Sequence, residues 1–131
     1  VRAALGRPAA IGRPAAIGRL KKRSEFLAVA ATNRRHTTPG LVLQVRKADG
    51  AAPDNAPYVR LGFTATKKVG NAVKRNRARR RLRAAAAEVL RGVTPNRADL
   101  VLVARRDTID RAFADLRNDF SAALRRLGII S

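Results

Sequence analysis

The 131-residue chain carries 29 Lys and Arg against 9 Asp and Glu, a net charge of +20, with 46% hydrophobic residues. That length and apolar content suit one compact domain, and they exclude a disordered polycation. The chain has no cysteine, so disulfides and thiolate metal sites are excluded; with neither an apolar run of membrane-spanning length nor the apolar core of a secretory signal, the expected location is the cytoplasm.

Residues 6–17 hold the hexapeptide Gly-Arg-Pro-Ala-Ala-Ile twice. Pro8 and Pro14 lack amide donors and glycines flank them, so residues 1–18 are expected to form a flexible basic arm. A single domain is expected over 19–131. Ser24 is positioned to cap a short helix through Phe26, Leu27 and Ala30 to about Ala31, with Asn33 and the 37–40 stretch ending it. Leu41, Leu43 and Val45 alternate with Gln44 and Arg46, and Val59, Leu61, Phe63 and Ala65 alternate in turn. Both read as half-buried strands, separated by a loop over 47–57.

The next segment is the most unusual. Residues 67–83 carry nine Lys or Arg and no acid. After the Gly70-Asn71 corner, an apolar stripe at Ala78, Leu82, Ala85 and Val89 has helical spacing. Lys74, Arg77, Arg80 and Arg81 fall away from it, and Arg75 reaches past the first turn. Gly92 to Asn96 breaks this helix. Residues 99–104 are apolar without alternation, which predicts an interior strand covered on both faces. Phe113, Leu116, Phe120, Leu124 and Leu127 predict a last helix, started near Asp107 or Thr108 and stopped by Gly128. The residues alone give the order α-β-β-α-β-α, an α+β domain with a small mixed sheet.

Nothing in this pattern makes a self-sufficient active site. His36 is the only histidine, lies in a loop, and has no acid nearby in sequence to orient it. Asp107/Asp110 and Asp115/Asp119 read as helix-start charges or surface salt-bridge partners among arginines. The cationic helix is different: a solvated face would interleave Glu with Lys, and none appears before Glu88. Arginine offers planar, bidentate donors to phosphate. Asn71 and Asn76 add neutral groups suited to sugar or base edges. Among the aromatics, Phe63, Phe113 and Phe120 are expected in the core, whereas Phe26, beside Lys21, Lys22 and Arg23, is placed to stack on a base. Composition therefore predicts a folded binder of RNA or DNA, and by itself leaves open a structural RNA-binding protein or a basic DNA-binding module.

The order of residues narrows this. Lys67-Lys68, then Val-Gly-Asn-Ala-Val-Lys, then Arg75-Asn76-Arg77 resembles the signature of the bacterial ribonuclease P protein subunit. The likeness begins at residues 19–26, continues through residues 60–64, and ends with residues 99–105 and the last helix. It implies an α/β sandwich-like domain of order αβββαβα with a left-handed βαβ crossover, although the residues themselves yield only three strands. It further implies a non-catalytic subunit of an endoribonuclease, in which the RNA subunit removes the 5′ leader of precursor tRNA and holds most of the Mg²⁺. The implied partners are that catalytic RNA and precursor tRNA. By position, Lys67, Lys68, Asn71, Arg75, Asn76, Arg77, Arg80 and Arg83 match the RNA-binding signature, Lys74 joins them as an RNA-binding candidate from its place on the cationic helix, and Arg19, Lys22 and Phe26 match the leader groove. Ala30, Leu41 and Gln44 stand where groove aromatics are common. Arg81 stands where an apolar residue is common, which suggests a helix turned further toward RNA.

Overall fold

A computed structural model of the chain describes residues 17–47, 59–93 and 96–130. Of the expected arm only Ile17 and Gly18, and of the expected 47–57 loop only Lys47, fall within the described residues. Strand β1 (Ile17–Arg19) leads to helix α1 (Arg23–Ala30), strands β2 (Arg35–Thr37), β3 (Leu41–Lys47) and β4 (Val59–Thr64), helix α2 (Ala72–Arg91), strand β5 (Ala98–Ala104) and helix α3 (Phe113–Arg126). The sheet order is β1-β4-β5-β3-β2. β1, β4 and β5 run parallel, and β3 pairs antiparallel with β5 and β2. The fold is α+β with a mixed five-stranded sheet.

Strand alternation divides the sheet into two faces. On one, Leu41, Leu43, Val45, Leu61, Leu100 and Leu102 meet Ala78, Leu82, Ala85, Ala86 and Leu90 of α2 and Leu116, Phe120 and Leu124 of α3. Each fully buried leucine contributes about 1.5–3 kcal/mol of transfer free energy. On the other face Val101 packs with Leu20 and Val29, with Phe26 and Val103 partly buried against them. The centre of the sheet is thus β5, covered on both faces as its unbroken apolar run predicts. None of the described helices is long and apolar enough to cross a membrane.

Several sequence expectations need correction. The sheet has two strands beyond the three read from sequence, β1 and β2, each only 3 residues long. A strand this short shows no readable period, and pairing with β4 or β3 creates it. Ile17 and Gly18 therefore belong to the domain and not to the arm. Ser24 does not cap α1; the N-cap is Lys22, and Glu25 reaches back so that Oε1 accepts the Lys21 and Lys22 amides at 2.9 Å each. Helix α3 starts after Ala112, because a 3-10 turn (Arg106–Thr108) occupies the expected start. Gly128, at φ +76°, does stop it. The buried stripe of α2 runs through Ala86 and Leu90, with Val89 only half-buried. Asp119 is not a surface partner. It is buried, accepting the Gly40 amide at 3.0 Å and Arg111 Nε at 2.5 Å. A Cβ at Gly40 would lie 2.5 Å from Asp119 Oδ2, so glycine is what admits this contact.

Candidate nucleic-acid interface

The cationic segment begins as a 3-10 turn (Lys67–Val69) that buries Val69 and leaves Lys67 and Lys68 exposed. Gly70 follows at φ +141°, a conformation side-chain-bearing residues rarely adopt. Asn71 then caps α2, its Oδ1 accepting the Lys74 amide at 2.9 Å. That oxygen is committed to the helix, so of the side-chain groups expected to read RNA, Asn71 retains its amide donors. Asn76 Oδ1 likewise accepts from Arg79 Nη2. The positive end of the helix dipole adds to the field here.

Along α2, Lys74, Arg77, Arg80 and Arg83 are exposed and Arg75 is half-buried. Among the described residues none of these takes part in an ion pair. Arg81 does something else. Its Nη1 donates to the Thr108 carbonyl at 2.9 Å and to the Ile109 carbonyl, and Nη2 donates to the Arg111 carbonyl at 2.5 Å. The expectation that Arg81 marks a helix turned toward RNA is overturned: this guanidinium ties α2 to the segment before α3. Arg83 leans the other way, with its guanidinium carbon 5.2 Å from the Phe63 ring centroid.

Two concavities flank the start of α2. One, of about 680 Å³, is lined by Lys68, Val69, Asn71, Val73, Lys74, Arg77, Arg106, Ile109 and Asp110. The second, of about 800 Å³, is lined by Val42, Thr66, Lys68, Val69, Val103, Ala104, Arg105, Arg106 and Asp107. They share Lys68, Val69 and Arg106, so the helix surface continues onto the sheet face that bears α1. Arg105 and Arg106 were missed from sequence. Their signal is position: two arginines follow the C-terminal end of a parallel strand, where open sheets bind ligands. Arg106 Nε reaches the Lys68 carbonyl at 3.4 Å.

The residues assigned to a leader groove are not all in one place. Phe26 is half-buried against Val101 and Val103, and its ring lies on the backbone of β4, where a Cβ at Gly62 would be 2.5 Å from Cε2. Lys22 is exposed at the start of α1. Arg19 instead lines a third concavity, of about 470 Å³, with Phe63, Arg83 and Ala87 on the α2 side of the sheet.

A small α+β domain whose exposed cations cluster on one helix and line the concavities beside it has the build of a nucleic-acid-binding protein, with phosphate as the fitting ligand. The Ribonuclease P family model matches residues 16–128, and the chain belongs to that family. It is 51% identical over 111 residues to the ribonuclease P protein component of Gluconacetobacter diazotrophicus, covering 85% of this chain and 91% of that one. The component from Paramagnetospirillum magneticum is 47% identical over 112 residues, covering 86% and 84%. The solved RNase P protein from Thermotoga maritima superposes with a TM-score of 0.66 at 26% identity, covering 82% of this chain and 96% of that one. The protein is thus part of an endoribonuclease holoenzyme of tRNA 5′ processing.

Proposed function

We propose that α2 and the turn before it dock the catalytic RNA, and that the groove between α1 and the sheet holds the 5′ leader of precursor tRNA. The observation that carries this is the division among the basic side chains. Arg60, Arg81, Arg111 and Arg117 are consumed by carboxylates or carbonyls, whereas Lys67, Lys68, Lys74, Arg77 and Arg80 stand exposed with none of the ion pairs found among the described residues. Such cations neutralise phosphate and release counterions on binding. Phe26 supplies a partly exposed ring packed against the cluster of Val101 and Val103, and Val103 also lines the concavity that Lys68, Arg105 and Arg106 charge.

The described residues bring no three His, Asp or Glu side chains together. Their exposed cations suit phosphate, and in this reading Mg²⁺ is held mainly by the RNA subunit and the substrate. The protein's contribution is to hold two polyanions close despite their repulsion, in the cytoplasm where tRNA is matured. Reconstitution with ribonuclease P RNA and precursor tRNA at low Mg²⁺ tests this. Cleavage is expected to be faster than with RNA alone, and equal rates would overturn the proposal.

A further inference from the structure

We propose that the concavity between β1 and α2 is a niche for one unpaired nucleotide of the catalytic RNA, gripped by Arg19 and Arg83. The inference rests on the RNA-docking reading above and adds a site to it. Arg19 pairs in register with Leu61, which belongs to the core under α2, while the next residue, Leu20, packs on the opposite face. Alternation therefore puts Arg19 on the α2 side of the sheet, away from Phe26. There Arg19, Arg83, Phe63 and Ala87 line one concavity of about 470 Å³, a volume within the range of small-ligand sites.

Charge and shape choose the occupant. Among the described residues neither Arg19 nor Arg83 is in an ion pair. Both side chains are exposed, and the Phe63 ring holds Arg83 by a cation–π contact. Two guanidinium forks beside an aromatic ring suit a phosphate together with a flat base, and an unpaired nucleotide supplies both. The niche adjoins the exposed ridge of α2, whereas the Phe26 groove lies across the sheet. Its occupant is therefore the RNA that α2 docks, and the substrate leader is excluded.

The test uses the full chain bound to ribonuclease P RNA and leader-labelled precursor tRNA. Ala87 is exposed, so Ala87→p-benzoylphenylalanine places a photoreactive group at the niche. It is expected to cross-link to the catalytic RNA; cross-links to the leader, or to no RNA, would sink the niche. In parallel, Arg19→Ala and Arg83→Ala should each weaken affinity for the catalytic RNA about tenfold, the loss of one charge-assisted contact. The double variant should lose less than the product, because both residues grip one group. Unchanged affinity, or a loss confined to the preference for precursor over mature tRNA, would overturn the assignment. If the unaltered chain fails to bind the RNA, the docking reading itself falls; if it binds and Ala87 stays silent, only the niche does.

Discussion

Glu25 shows how much one acid does in a chain so short of them. Its Oε1 caps the start of α1 and its Oε2 accepts Arg60 Nη1 at 2.6 Å. Arg60 in turn grips Asp99 with two bonds of 2.8 and 2.7 Å. One carboxylate therefore clamps α1 to β4 and, through Arg60, to β5. The Lys22 and Lys21 amides, with help from Arg60, pull its pKa from 4.5 down to about 2. Because the folded state holds this proton more weakly than the unfolded chain, the stabilisation is complete above the ordinary carboxylate value. It is lost as pH falls from there toward 2. Glu25→Gln should flatten that part of the acid limb in a thermal-melt pH series; an acid limb identical to the parent's would mean the clamp is not formed. The link of Glu25 to Arg60 was not legible in the sequence, since that contact joins residues 35 apart in the chain.

At the scale of the element, α2 has an apolar back and two flanks with different work. Twenty residues at about 1.5 Å each make a rod of about 30 Å. Its helical period, read from sequence, separates back from front correctly. It does not separate the flank that meets α3 from the flank that meets β1, because neither neighbour is local. Arg81 therefore looked like one more RNA contact and is a strut. Arg81→Ala should cost about 2 kcal/mol in urea unfolding, since three carbonyls lose their donor, and should leave the salt slope of RNA binding unchanged. Arg77→Ala should do the reverse: stability within about 0.5 kcal/mol of the parent, and a salt slope lower by about one unit. A salt slope that falls for Arg81→Ala would return that residue to the interface.

For the whole molecule the balance of charge is the governing quantity. A net charge of +20 on 131 residues is self-repulsive, and the described residues answer it with few acids, most of them spent on Arg60, Arg111 and Arg117. Raising NaCl from about 20 to 500 mM, which shortens the screening length several-fold, should raise the melting temperature of the free protein. A fall would mean that its ion pairs outweigh the repulsion. The sequence by itself determined the α+β class, the buried central strand, the cationic helix and its Gly-Asn entry, because each is a local pattern of period, charge or backbone freedom. Tertiary structure alone decided the two short strands, the burial of Asp119, the recruitment of Arg105 and Arg106, and the separation of Arg19 from Phe26. The reason is physical: those outcomes depend on which distant backbone or side chain arrives alongside, and on which face of the sheet a side chain falls. Periodicity carries neither.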